Sequence, residues 1–293
     1  VTGRSSTGAF PRLERFDSVG STNDVVRAWL ADGTPEVCVA VADEQTAGRG
    51  RAGRAWTAPP GAALLVSCGF RPAWLAPDRV WRLGAIASLA MCDAAEEAAG
   101  LPEGAITLKW PNDLVVEVSG PRAVLIGVST AGEASARLAG PLELRKVAGV
   151  LGESDGLGTN DPRVVVGIGI NADWAARDFP PELAASMTSL HEVSAGRPID
   201  REALLTGFLG HLESRLEALR AGYFDVATWS ARQALTGRAV RLEGYGEQGA
   251  VDRDVAGFDG ATGAMMVVEP GAAAEPRPVH GGEVVRVLLA SGV

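Results

Sequence analysis

The sequence predicts an α/β domain in which buried strands alternate with amphipathic helices, followed by a small all-β module. Three observations carry that reading. Compact apolar runs of strand length recur at residues 37–42, 64–70, 147–151 and 164–170. Two long stretches between and after them, 78–99 and 201–223, place their apolar residues at helical spacing. Beyond Gly237 the pattern changes to short runs punctuated by glycine.

After a short polar lead over residues 1–15, Ser21-Thr22-Asn23-Asp24 precedes Val25, Val26, Trp29 and Leu30, an apolar stripe that stops at Gly33. Oxygen-bearing side chains ahead of such a stripe satisfy the free N–H groups of a helix start, so a capped amphipathic helix is expected. Residues 37–42 and 64–70 read as strands buried on both faces, with a loop rich in Gly and Arg between them. Residues 78–99 carry Val80, Trp81, Gly84, Ala87, Ser88 and Met91 at helical spacing, small residues that permit close packing, with Gly100 just beyond. Residues 106–110 form a strand stopped by Pro111, and 114–118 a second strand. The stretch 119–145, containing Gly, Ala and Ser and an apolar piece at 124–128, reads as an elaborated hairpin. Residues 147–151 and 164–170 are two adjacent core strands joined by a Gly/Asp/Asn/Pro turn. Pro180-Pro181 interrupts any helix. Residues 201–223 form an amphipathic helix on Leu204, Leu205, Phe208, Leu209, Leu212, Leu216 and Leu219. Short runs at 239–242, 250–255, 264–268 and 284–289 make the all-β tail.

A length of 293 residues suggests two domains at ~150 residues each, or one large unit plus a small one. The 37 glycines and 17 prolines amount to about 18% of the chain, below the roughly 25–30% at which disorder becomes the better reading. Twenty-seven Lys and Arg against 36 Asp and Glu give a net charge of −9. Such a chain lacks the broad basic surface that neutralises nucleic-acid phosphates, so no nucleic-acid partner is expected and any anion site must be local. Cys38, Cys68 and Cys92 sit singly in apolar runs, and His191, His211 and His280 are scattered. Neither a zinc site nor a disulfide framework is expected, and the thiols read as reduced residues of a cytoplasmic protein. No run of ~18 apolar residues and no signal-peptide core occurs, so no membrane association is expected.

The most informative segment is Gln45-Thr46-Ala47-Gly48-Arg49-Gly50-Arg51-Ala52-Gly53-Arg54-Ala55-Trp56, which places three guanidinium groups within six residues. An acidic protein that gathers such charge on one loop is making a site for phosphate or carboxylate, although a solvated surface loop is the plain alternative. A Walker A loop is excluded, because Gly53 is followed by Arg54-Ala55 and not by Lys-Ser/Thr. Lys109-Trp110-Pro111-Asn112-Asp113 gathers a cation, an amide and a carboxylate at the end of a strand, where a simple turn would not require the lysine. Arg145-Lys146-Val147-Ala148-Gly149 sets a lysine just before a buried strand, and a strand-edge lysine is common. Gly167-Ile168-Gly169-Ile170-Asn171-Ala172 formally matches a dinucleotide fingerprint. That motif needs a helix immediately afterwards, and Asp173, Asp178 and Pro180-Pro181 follow instead, so an NAD-dependent oxidoreductase is disfavoured. Ser21-Thr22-Asn23 serves as a helix cap on local physics alone, or as a receptor for a polar heterocycle.

In this order, S-T-N, Q-T-A-G-R-G-R-x-G-R-x-W, K-W-P-N-D, K-x-A-G-x-L and G-x-G-I-N resemble the bacterial biotin protein ligases, from about Phe16 to the end of the chain. The conjunction is far more specific than any one segment. The resemblance implies a mixed sheet flanked by helices, of the class II synthetase type, over residues 16–235, and an SH3-like β-barrel over 236–293. Relatives that double as repressors carry an N-terminal DNA-binding domain of some tens of residues, and only about fifteen residues precede the matched region here. The form without that domain is therefore expected.

The implied activity is ATP-dependent activation of biotin as biotinyl-5′-AMP, then transfer to a lysine of the biotin carboxyl carrier domain of an acyl-CoA carboxylase. The resemblance places biotin at Ser21, Thr22, Asn23, Gln45, Arg49, Gly50, Arg51, Lys146 and Gly149. It places ATP at Arg51, Arg54, Trp56, Lys109, Asn112, Lys146 and Asn171, with Mg²⁺ arriving on the nucleotide and no protein-only metal site. Asp113, Lys146 and Arg51 take the catalytic roles. Many relatives carry a further basic residue where this chain has Ala52, which implies weaker affinity on the pyrophosphate side. A lipoate-type ligase and a non-catalytic sensor of biotin or its adenylate are the alternatives.

Overall fold

A computed structural model describes residues 3–7, 10–120, 123–124, 130–139, 142–245, 249–271 and 274–288. Its first elements are β1 (Gly3–Thr7), β2 (Phe10–Val19), α1 (Thr22–Ala31), β3 (Cys38–Gln45), β4 (Ala63–Phe70), α2 (Trp81–Ala99), β5 (Ile106–Lys109) and β6 (Asp113–Ser119). They are followed by α3 (Ala131–Ala139), β7 (Glu143–Asp155), β8 (Arg163–Asn171), α4 (Pro181–Ala184), α5 (Leu190–Val193), α6 (Arg201–Arg220) and α7 (Val226–Ala231). The chain ends in β9 (Ala239–Glu243), β10 (Val251–Phe258), β11 (Met265–Val268), β12 (Arg277–Val279) and β13 (Glu283–Val287).

The first eight strands form one sheet in the order β1-β2-β3-β4-β8-β7-β6-β5, mixed because β2 and β3 run parallel while the other neighbours are antiparallel. Successive strand side chains point to opposite faces, and both faces of the middle strands are covered. Val39 and Val41 enter the large core shared with α2 and α6, whereas Cys38 and Ala40 pack with Val26, Trp29 and Leu30 of α1. That double cover is why β3 and β4 read as unbroken apolar runs. On β8, Val164, Val166, Ile168 and Ile170 face the large core, and Val165 faces α1. Gly167 and Gly169, two and four residues on from Val165, therefore share the α1 face. There the sheet carries no side chains, and a hollow remains.

The last five strands form an antiparallel sheet, β12-β11-β10-β9-β13, as expected of an SH3-like module. Its core of Val240, Leu242, Val255, Met265, Val267 and Val284 also takes in Trp110, so the tryptophan of the Lys-Trp-Pro-Asn-Asp corner is a peg between the two sheets.

Four expectations are corrected. The residues read as a polar lead include β1 and the first half of β2, with Phe10 and Leu13 buried in the core; two apolar side chains among charged neighbours are too few to show a strand pattern. The stretch read as a hairpin contains helix α3, and most of its apolar piece, residues 125–128, lies outside the described residues, as does Leu289 of the last predicted run. Pro181 does not forbid a helix but starts α4, since its missing N–H would be free in a first turn anyway. Finally, β12 is an unpredicted strand of three residues.

Candidate active site

The hollow over the glycine face is a cavity of about 440 Å³. Its floor is the start of α1, where Ser21, Thr22 and Asn23 are all buried. Ser21 occupies the N-cap position, yet its hydroxyl makes no capping bond. Gln45, from the end of β3, does that work: its Oε1 accepts from the Thr22 backbone N–H at 2.8 Å and from Thr22 Oγ1 at 2.9 Å. Ser67 of β4 stands opposite Gly167 in register, with its Oγ 2.7 Å from Thr22 Oγ1 and 2.6 Å from Asn23 Oδ1. Asn23 lies so close over Gly167 that a Cβ there would come within 2.1 Å of its Oδ1. The result is a row of oriented hydroxyl and amide groups, suited to a small polar ring.

One wall is the Gly/Arg loop, closed as a narrow hairpin: Gly50 N–H donates to Arg54 O at 2.7 Å, and Trp56 N–H to Gly48 O at 2.9 Å. The hairpin lays the half-buried Trp56 across the glycines of β7 and β8. A Cβ on Gly169 would meet Trp56 Nε1 and Cε2 at 2.6 Å, and one on Gly149 would meet Cζ3 at 3.1 Å. Trp56 Nε1 is itself buried and has no hydrogen-bond partner among the described residues. Such an unspent donor beside a cavity is costly unless something accepts from it.

The opposite wall comes from β5, β6 and β7. Lys146 Nζ sits 2.6 Å from Asp113 Oδ1 and 5.4 Å from the centroid of the Trp56 ring. Asn112 is clamped to β7, its Nδ2 donating to Val150 O at 2.8 Å. Lys109 donates to Val284 O of β13 at 3.1 Å, and Arg54 meets Glu283 at 2.5 Å, so the C-terminal sheet closes this end, with Val285 lining the cavity. Burial holds the Lys109 ammonium below the usual lysine range, against the opposing pull of the Asp113 charge.

Five cationic side chains, Arg49, Arg51, Arg54, Lys109 and Lys146, line the cavity against a single lining carboxylate, Asp113, among the described residues. Arg49 is gripped from outside: its Nη atoms meet both oxygens of Asp24 at 2.7 Å, which holds the Asp24 carboxyl below its usual range. Local positive charge on a chain of net −9 is what the sequence required of an anion site.

Of the residues singled out from sequence, Ser21, Thr22, Asn23, Gln45, Arg49, Gly50, Arg51, Arg54, Trp56, Lys109, Asn112, Asp113, Lys146 and Gly149 all line this cavity. Asn171 does not. It is fully buried at the end of β8, with its Nδ2 turned to Thr188 O at 2.9 Å. Sequence reasoning missed Ser186 and Met187, which reach the cavity because Lys146 N–H donates to Ser186 O at 2.8 Å and brings that irregular segment alongside β7. Gly167 and Gly169 were visible in the Gly-x-Gly-Ile-Asn motif, but only the sheet shows that they make room.

The fold and this site define an α/β protein with a cation-lined cavity for anionic ligands, and comparison with known proteins says which. Residues 16–171 match the biotin/lipoate A/B protein ligase family, and the chain belongs to it. It is similar to the biotin–[acetyl-CoA-carboxylase] ligase of Mycobacterium tuberculosis, 30% identical over 243 residues that cover 82% of this chain and 77% of the relative. It is also 30% identical to the bifunctional ligase/repressor BirA of Bacillus subtilis, over 68% of this chain and 52% of that protein. Among solved structures, the biotin protein ligase from Aquifex aeolicus in complex with biotin and ATP superposes with a TM-score of 0.69 at 24% identity, covering 95% of this chain and 99% of the other.

Proposed function

We propose that the chain is a biotin protein ligase: it joins biotin to AMP at the expense of ATP and passes the biotinyl group to a lysine of a biotin carboxyl carrier protein. The observation that carries this reading is the convergence, on one cavity, of the polar floor of α1 and five cations drawn from three separate stretches of chain. The relative named as a biotin–[acetyl-CoA-carboxylase] ligase supports the choice of biotin over lipoate.

In the first step a carboxylate oxygen of biotin attacks the α-phosphorus of ATP, and the bond to pyrophosphate breaks. Two like charges ~4 Å apart repel by about 1 kcal/mol in water and about 4 kcal/mol at an effective dielectric of ~20. A partly dry site therefore needs fixed cations along the line of attack. In this reading the floor residues Ser21, Thr22, Asn23 and Gln45 hold the ring of biotin, with Gly149 and Gly50 leaving room for its body. Arg49, Arg51 and Lys146 face its carboxylate; Arg51, Arg54, Lys109, Asn112 and Lys146 align the phosphates; and Trp56 offers its ring and its free Nε1–H to the ligands. No protein nucleophile is required, because the substrate brings its own.

In the second step the amine of the acceptor lysine attacks the carbonyl carbon of the mixed anhydride, and the bond to AMP breaks. At a reference pKa of ~10.4 only about one such amine in 10³ is neutral at pH 7. Asp113 holds Lys146 through Oδ1, while Oδ2 has no partner among the described residues and can receive the proton that the amine loses. Among the described residues no group of three or more His, Cys, Asp or Glu could hold a metal by itself. In this reading Mg²⁺ would arrive on the nucleotide's phosphates, where the ion would supply charge neutralisation.

No helix among the described residues is long and apolar enough to cross a membrane. The three cysteines are free and buried, which supports a reducing compartment such as the cytoplasm. The test is direct: pyrophosphate release from biotin or lipoate with ATP and Mg²⁺, followed by measurement of the mass added to a carrier domain. Both signals are expected with biotin and neither with lipoate; transfer from lipoate alone, or biotin binding without pyrophosphate release, would overturn the reading.

A further inference from the structure

Behind the cavity floor, and not lining it, Glu153 of β7 touches both α1 and the Gly/Arg loop. Its Oε2 accepts from Asn23 Nδ2 at 2.6 Å and lies 3.6 Å from Arg49 Nη2, and its Oε1 meets Arg27 Nη2 at 2.6 Å. Asp24 closes the circuit, paired with Arg49 at 2.7 Å and with Arg27 at 2.9 Å. Four side chains of alternating charge thus form a ring on the outer side of the floor.

The chemistry of Asn23 makes Glu153 more than an ion-pair partner. A side-chain amide has a donor end and an acceptor end, and an ionised carboxylate only accepts. With Glu153 at 2.6 Å, the Asn23 nitrogen must face outward, which aims Oδ1 at Ser67 and the floor. A reversed amide would press oxygen against oxygen at hydrogen-bond distance in a partly buried place. The same carboxylate draws on Arg49 and so steadies the loop that walls the cavity.

We propose that Glu153 is a positioning residue that fixes the Asn23 amide on the floor and restrains Arg49 on the loop. This rests on the reading that the floor takes the polar ring of biotin. Glu153→Gln keeps size and shape but removes the charge, and its amide can face Asn23 either way.

The experiment measures biotin affinity, the KM for ATP, and protection by biotin against trypsin cleavage within residues 49–54. The wild type is expected to bind biotin and become protected. Glu153→Gln is expected to lose on the order of tenfold in biotin affinity and most of the protection, with the KM for ATP within twofold and the melting temperature little changed. Arg27→Gln removes a ring member that does not line this cavity and does not touch Asn23, and should leave biotin affinity within twofold. Unchanged affinity and protection in Glu153→Gln overturns the proposal, as does an equal loss in Arg27→Gln or a parallel rise in both KM values. A wild type that does not bind biotin overturns the underlying reading and the proposal with it.

Discussion

A methyl group added at Gly169 would lie 2.6 Å from both Cε2 and Nε1 of Trp56 and 3.0 Å from Cζ2. Carbon contacts are comfortable at ~3.5–4.0 Å, so something must move by about 1 Å. The backbone of β8 is held in register between Leu65 of β4 and Gly149 of β7 and has no freedom to retreat. Trp56, on a loop and half-buried, has that freedom, and the indole swings into the cavity. Misplacing a positioned group by ~1 Å costs on the order of 10²-fold in rate, or ~2.7 kcal/mol of transition-state stabilisation. The fold itself should hold, since Ala in a strand is ~0.5–1 kcal/mol more favourable than Gly before the contact is counted. Gly169→Ala is therefore expected to release pyrophosphate about 10²-fold more slowly per unit of kcat/KM, at a melting temperature close to that of the wild type. Wild-type kcat/KM would show that Trp56 does not shape the site, and loss of folding would show that the sheet, and not the loop, gives way.

Three further outcomes are expected. Lys146→Ala removes the partner that Asp113 holds at 2.6 Å, with both side chains about a quarter exposed; adenylation should fall on the order of 10²–10³-fold while stability changes by less than ~1 kcal/mol, and undiminished pyrophosphate release would contradict the role. Lys109 is held below the usual lysine range by burial, and a bound phosphate favours its ammonium form, so ATP binding takes up a proton between the free and bound pKa values. Affinity should accordingly fall as pH rises through that window and the fall should flatten in Lys109→Arg, which isothermal titration at several pH values checks; a wild-type Kd that stays level up to the ordinary lysine range would contradict it. Arg232→Leu strands the buried Glu96, which Arg232 meets at 2.5 Å, while Asp93 keeps Arg215, and should cost about 3–5 kcal/mol in urea denaturation; a loss below ~1 kcal/mol would mean that Glu96 finds another partner.

The parts of the site legible in the sequence are those whose chemistry sits at strand ends and tight turns. Gln45 through Trp56 and Lys109 through Asp113 each suggest a polar site locally, whereas Lys146 with Gly149 stands out only through the family resemblance, and the sheet order brings all three to one cavity. What stayed hidden depends on distant chain. Asn171 ends the Gly-x-Gly-Ile-Asn run and looks like its neighbours, but Thr188, in a segment without periodicity, captures its amide. Glu283 and Val285 lie more than two hundred residues from the loop they meet, and no local pattern points there. The helix α3 did leave a signal: Thr130-Ala131-Gly132-Glu133 is a capping-box sequence, and Glu133 N–H donates to Thr130 Oγ1 at 3.1 Å. A run of good helix formers after that cap outweighs the Gly and Ser that suggest a loop.

The cations of this cavity are not all equally available to a ligand. Arg49, Arg54 and Lys146 are already paired with Asp24, Glu283 and Asp113, whereas Arg51 and Lys109 form no ion pair among the described residues. An incoming anion that takes one of the paired cations exchanges one carboxylate contact for another, and the net gain of such an exchange is small. Contacts with Arg51 and Lys109 carry no such offset, and Lys109 also recovers some of the cost of being buried as an ammonium. Ground-state attraction therefore falls mainly on those two. The paired groups respond most when negative charge accumulates beyond what their own carboxylates carry, as it does on the oxygens around phosphorus while the pyrophosphate bond breaks. Holding part of the positive charge in reserve against protein carboxylates thus weights the site toward the transition state over the bound reactants. It also leaves the five cations of this overall acidic chain with a smaller positive excess than their number alone would give.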